Sequence, residues 1–132
     1  MHRIVNAHDH QGGIEESIRY IHSAWGNEQN FDFYRDAILH SFSAGKALPR
    51  FFLMLDEKGI AGCSALLLND LISRQDLFPW FACLYVEESR RGMGLGGELM
   101  AHGRREAARC GFDVLYLSTG HDGYYERYGW TR

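Results

Sequence analysis

Arg91, Gly92, Gly94, Gly96 and Gly97 crowd into seven consecutive positions between an apolar run and a stretch of helical spacing. The run Trp80-Phe81-Ala82-Cys83-Leu84-Tyr85-Val86 reads as a buried strand. Met93 to Cys110 reads as a helix, with Gly96, Met100, Gly103, Ala107 and Cys110 on one face and Arg104, Arg105 and Arg109 largely outside it. A junction of this kind favours anions. The first backbone N–H groups of a helix have no partner within it, its dipole is positive at that end, and glycines let a ligand reach the main chain unhindered by a Cβ. The natural guest is a diphosphate.

Two familiar phosphate binders fit less well. Gly92-x-Gly94-x-x-Gly97 satisfies the dinucleotide fingerprint taken literally, but the strand that follows ends Leu117-Ser118-Thr119, without the acidic residue that would hold a ribose. No Lys-Ser or Lys-Thr follows the glycines, which excludes a P-loop. Cys63, Cys83 and Cys110 are odd in number, form no CxxC pair and sit among apolar or small residues, so they read as reduced core thiols. His8-Asp9-His10 has ligand chemistry but no further partner nearby; it reads as a turn, with no metal assigned.

The elements that must position these residues come from an ordinary globular composition. The chain has 132 residues, 45% hydrophobic and 23% charged, which predicts one domain over residues 1–132. A net charge of −3 offers no footprint for nucleic acid or an anionic membrane. The longest stretch free of Asp, Glu, Lys and Arg, Gly59 to Asn69, is too short to span a bilayer, and Met1 to His10 has no signal-peptide core, so a cytoplasmic location is expected. Arg3 to Ala7 reads as a first strand. Ile14, Ile18, Ile21 and Trp25 recur at helical spacing up to a stop at Gly26-Asn27, and a second helix runs from near Asn30 to Gly45. Phe51 to Leu55 and Ile60 to Leu68 form a hairpin turning at Gly59. The strands, including Val114 to Thr119, are apolar on both faces, which predicts an α/β fold whose sheet is covered by helices on both sides.

Arg91-x-x-Gly94-x-Gly96 after an apolar strand resembles the acetyl-coenzyme A signature (Q/R)-x-x-G-x-(G/A) of the GNAT superfamily of N-acetyltransferases. Tyr124-Tyr125-Glu126-Arg127-Tyr128-Gly129-Trp130 is similar to that superfamily's late F-Y-E-K-L-G-F segment, at the expected distance beyond the strand from Val114. The match is most specific from Trp80 to Trp130, and the order strand, two helices, hairpin before it is also similar. The resemblance implies a mixed, largely antiparallel sheet with helices on both faces, and acetyl-coenzyme A as the cofactor. It implies that the backbone of Leu84, Tyr85 and Val86 pairs with pantetheine amides as though the cofactor were an added strand. Arg91, Gly92, Met93, Gly94, Leu95, Gly96 and Gly97 would cradle the diphosphate. An amide on the Leu84–Tyr85 stretch would donate to the acetyl carbonyl, an effect worth about 3 kcal/mol in other acyl transfers. Tyr125 is similar in position to the family's general acid for the departing thiolate.

The chain departs from the family pattern in three places. Ser118 stands where Asn is common, still able to bond a pantetheine amide; His121 stands where Ala is frequent, as a local base or a capping residue. The family usually continues with two more strands where this sequence stops at Arg132, which would leave an open edge on Val114–Thr119 and predicts a homodimer. Direct transfer needs a neutral amine, so carboxylates are expected near the acceptor. In the loop before the cofactor strand, Asp70 and Asp76 are candidates, with Arg74 for an acidic group of the substrate; a solvated loop is the equal alternative. Trp25, Phe33, Tyr34 and Trp80 would wall the acceptor pocket or lie in the core. Glu87 and Glu88 are expected to be exposed. Two functions stay open: acetyl transfer to a small-molecule or peptide amine, or a noncatalytic acyl-coenzyme A binding module.

Overall fold

The computed structural model describes residues 2–41, 47–69, 76–119 and 123–131. Strand β1 (Arg3–Asn6) leads through a 3-10 turn (Ala7–Asp9) to helices α1 (Ile14–Trp25) and α2 (Phe31–Leu39). A hairpin follows, β2 (Arg50–Asp56) and β3 (Gly59–Leu67), then β4 (Trp80–Val86) and, after a 3-10 turn at Glu88–Arg90, helix α3 (Leu95–Arg109). The sheet order is β1-β2-β3-β4, with every neighbour antiparallel. Gly59 turns the hairpin at φ +126° and Gly111 ends α3 at φ +91°, both in the region that glycine enters without a Cβ penalty.

Alternation along β2 explains why its apolar run is continuous. Phe51, Leu53 and Leu55 pack with Ile18, Ile21 and Ile38 of the first two helices. Phe52 and Met54 point the other way, into clusters that include Leu95, Leu99, Met100 and Ala107 of α3. The sheet is therefore covered on both faces, as the unbroken apolar patterning predicts. On α3 the small residues let it approach closely: a Cβ on Gly103 would lie 2.7 Å from the Phe81 ring.

Three local expectations change. The second helix ends at Leu39, and residues 42–46, on which the rest of that expectation falls, lie outside the described residues. Trp25, expected on the buried stripe of α1, is 49% exposed because it sits at the helix's last turn, beyond the sheet's cover. Val114 to Thr119 is extended chain rather than a regular strand. It makes one parallel bridge, Tyr116 to Trp80, and no strand pairs with its outer edge among the described residues. No helix of the described chain is long and apolar enough to cross a membrane.

Candidate active site

The site begins with an irregularity in β4. Cys63 pairs with Tyr85 but Ala65 pairs with Ala82, so Cys83 and Leu84 together stand opposite the single residue Ser64. This is a β-bulge, and it puts Cys83 at φ +55°, in the left-handed region where a side chain is strained. The thiol of Cys63 donates to the Cys83 carbonyl at 3.3 Å. Since a trans peptide holds its C=O and N–H in opposite directions, the Leu84 N–H points away from Cys63. Beyond the bulge the two strands approach so closely that a Cβ on Gly62 would collide with the Tyr85 carbonyl oxygen.

On its other side β4 is joined to the described chain at one place. Phe81 N–H donates to the Tyr116 carbonyl at 2.7 Å, and Tyr116 N–H donates to the Pro79 carbonyl at 3.0 Å. Among the described residues no further rung follows, so Ala82 to Val86 present an edge without a strand beside it. That edge carries the bulge and leads directly into the glycine loop.

Within the loop the glycines divide by role. Gly92 (φ +86°) and Gly94 (φ +76°) hold left-handed backbone, and a Cβ on either would meet nothing within 4 Å, so the chain there is open to a ligand. Gly94 is also the N-cap of α3 and supplies no capping side chain, leaving first-turn N–H groups without one. Gly96 and Gly97 also serve packing. A Cβ on Gly96 would lie 2.7 Å from the Tyr124 hydroxyl, and one on Gly97 would lie 2.5 Å from the Tyr128 ring. Leu95 is buried, while Met93 is 61% exposed. Arg91 donates through Nε to the Val86 carbonyl at 2.9 Å and lies over the Tyr85 ring at 5.6 Å, which fixes its cation at the exit of β4.

Tyr125, half-buried, packs with Leu84 against the Phe81 and Met100 cluster on the α3 side of the sheet. Burial pushes its phenol above the ordinary value and neighbouring Tyr124 adds to this, while a hydrogen bond from Thr119 opposes it. The proton therefore stays on Tyr125 at neutral pH. Ser118 is exposed at the end of the same extended segment. A cavity of about 430 Å³ lies between Leu115–Thr119 and the chain at Tyr125, Glu126, Trp130 and Thr131, but nothing from β4 or the glycine loop lines it.

The expected acceptor residues are placed unevenly. Asp76 is exposed, whereas Asp70, Arg74 and His121 lie outside the described residues. Trp80 is 4% exposed, its indole N–H donates to the Leu77 carbonyl at 2.6 Å, and its ring tilts against Tyr116, which leaves little of it for a substrate. Phe33 is 62% exposed and Tyr34 half-buried. Glu87 is not exposed as expected. It is half-buried beneath α1, where the Tyr20 hydroxyl donates to its carboxylate at 2.7 Å. His8 and His10 have other partners, the Ile38 carbonyl and Glu16.

The chain matches the acetyltransferase (GNAT) domain family over residues 48–132, a span that contains β4, the bulge, the glycine loop and Tyr125. The chain belongs to the GNAT acetyltransferase family. Solved structures with the same fold include AAC(6')-Iy in complex with a bisubstrate analogue, CoA-S-monomethyl-acetylneamine (TM-score 0.74, 14% identity, covering 100% of this chain and 92% of that one). A predicted acetyltransferase from Clostridium acetobutylicum with acetyl-CoA has a TM-score of 0.72 and 14% identity, covering 100% and 91% of the two chains. Glucosamine-6-phosphate N-acetyltransferase from Arabidopsis thaliana has a TM-score of 0.69 and 13% identity, covering 100% and 92%. A comparison with curated proteins found no match. In this GNAT domain the bulged strand runs on into a helix start without a side-chain cap, with open space at Gly92 and Gly94.

Proposed function

We propose that this GNAT domain, residues 1–132 as one unit, transfers an acetyl group from acetyl-coenzyme A to a primary amine by direct attack in a ternary complex. The observation that carries the reading is the edge of β4 from Ala82 to Val86, beside which no further strand runs among the described residues; this stretch holds the bulge and runs into an uncapped, glycine-lined helix start. Pantetheine amides would pair with Leu84, Tyr85 and Val86 along that edge. The diphosphate would rest on the backbone from Arg91 to Gly97, with the cation of Arg91 beside it, and Ser118 would meet a pantetheine amide from the facing segment. The cofactor itself supplies an activated acetyl group on a thiol leaving group.

The chain's own part is dipoles and one proton. The Leu84 N–H is aimed away from β3 by the Cys63 bond and would donate to the thioester carbonyl as negative charge builds on its oxygen. Tyr125 would donate to the departing sulfur. Its phenol sits above an ordinary value of 10.0, higher than the ~8.5 of a thiol, so complete transfer from it alone runs uphill. The tyrosine therefore acts as a hydrogen-bond donor whose proton moves as the amine releases its own. On the acceptor side Asp70 and Asp76 would receive the amine and its proton and Arg74 would hold an acidic group of the substrate, with Trp25, Phe33 and Tyr34 as an aromatic wall, above a floor that contains Trp80. A second copy covering the outer edge of residues 115–119 would complete the assembly.

The test is thiol release from acetyl-coenzyme A with a panel of amines that includes amino sugars, polyamines and peptide N-termini. Acetylation of at least one class, lost when the Arg91 to Gly94 backbone is altered, supports the reading. Tight coenzyme A binding with no transfer to any amine would make the chain a noncatalytic binding module.

A further inference from the structure

The backbone from Gly92 to Gly94 has almost nothing of its own to hold it. Two of its three residues lack side chains, the third is largely exposed, and the 3-10 turn before it, Glu88–Arg90, contains no buried residue. On the helix side, buried Leu95 anchors the chain. On the strand side the anchors are polar. Arg90 makes a two-point pair with Asp56 at the end of β2, Nε to Oδ2 and Nη2 to Oδ1, both 2.8 Å. Asp56 is itself fixed, since its Oδ1 also accepts the Lys58 N–H at 2.8 Å in the hairpin turn. Glu87 donates its N–H to the Ala61 carbonyl of β3 at 2.8 Å and accepts the Tyr20 hydroxyl from α1 at 2.7 Å.

We propose that Asp56 and Tyr20 are positioning residues for the coenzyme's diphosphate, bracing through Arg90 and Glu87 the turn from which the Arg91–Gly94 backbone springs. Two charges are dealt with by the same contacts. Pairing with Asp56 takes the Arg90 cation up and holds it at the hairpin. The Tyr20 hydrogen bond draws the Glu87 carboxylate under α1, away from a site that must accept an anion. Both act through the turn and not by contact with the coenzyme. A two-point guanidinium–carboxylate pair fixes orientation as well as distance, which a loop without packed side chains requires.

The inference rests on the coenzyme reading above, and one titration series separates the two. Coenzyme A and pantetheine, which lacks the diphosphate, are titrated calorimetrically into the wild-type chain and into Asp56→Asn, Arg90→Lys and Tyr20→Phe. The expected result is a coenzyme A Kd raised about tenfold in Asp56→Asn and Arg90→Lys and about threefold in Tyr20→Phe, with the pantetheine Kd within twofold of wild type. Tyr20→Phe keeps the ring and its packing, so it reports on the hydrogen bond even if a charge variant folds poorly. Equal losses for both ligands, or no loss for coenzyme A, would overturn the brace while leaving the coenzyme reading standing. A wild-type chain that binds no coenzyme A overturns both.

Discussion

The thiol of Cys63 on β3 and the backbone carbonyl of Cys83 on β4 meet at 3.3 Å, and this contact spans the bulge that sets the direction of the Leu84 amide. Cys83 is the one non-glycine residue with positive φ among the described residues, so a strained backbone and a buried sulfur are coupled at the centre of the site. Cys63→Ala removes both the hydrogen bond and buried sulfur; urea unfolding should show a loss of about 1–2 kcal/mol. Burial also pushes the Cys63 thiol well up, so iodoacetamide should label Cys83 and Cys110 in the native protein before Cys63, as read by peptide mass spectrometry. Equal labelling of all three would contradict the buried position.

Tyr125→Phe should lower turnover about 10- to 100-fold and leave the coenzyme A Kd within twofold, because the ring's packing is kept and only the hydroxyl is lost. The same variant should remove any alkaline limb of kcat that begins above pH 10, where the raised phenol finally ionises. Turnover equal to wild type would take Tyr125 out of the chemistry.

Glycines 94 and 103 should fail in opposite ways when changed to alanine. At Gly103, alanine gains about 1 kcal/mol of helix propensity but forces the Phe81 ring aside at a cost of about 1–3 kcal/mol. Phe81 is 1% exposed and has no room to move, so a net fall in stability is expected by thermal unfolding. At Gly94 the space is open, but φ is +76°, a strain of about 1–2 kcal/mol for alanine. There the loss should appear chiefly as weaker coenzyme A binding, measured by calorimetry.

The pair of Asp56 with Arg90 predicts an acid limb of stability. Hydrogen bonds from Arg90 above all hold the Asp56 carboxyl down at about 2, against 3.8 in an unperturbed chain. A carboxyl with a lowered folded-state value contributes stability above the unfolded value and loses it as pH falls through the folded one. The stability gap between wild type and Asp56→Asn should accordingly be constant above pH 5 and close between about pH 4 and pH 2 in urea titrations. A gap that widens on acidification would reverse the assignment.

Much of this architecture is legible from local chemistry. Continuous apolar runs at Phe51 to Leu55 and Trp80 to Val86 announce a sheet buried on both faces, and the small-residue face of α3 announces close packing. The glycine loop and the Tyr124 to Trp130 segment point to the candidate site because each motif is contiguous. What stays hidden depends on contacts far apart in the chain. Asp56 and Arg90 are separated by 34 positions and Tyr20 and Glu87 by 67, and no periodicity connects either pair. The bulge is concealed for another reason: an unbroken apolar run looks the same with or without an extra residue, so neither the register shift nor the strained Cys83 leaves a trace. The sequence does not show that Gly96 and Gly97 also make room for Tyr124 and Tyr128, since those rings come from far along the chain. Val114 to Thr119 has strand composition, but a ladder needs a partner, and β4 offers it a single rung.

Two rods fastened at one point keep their opening angle as a free variable. Trp80 and Tyr116 are that fastening, and everything packed around it, including the tilted contact of their rings, sets how far apart the tips of the two segments stand. The spacing of the two segments is thus governed at their single rung rather than along a ladder.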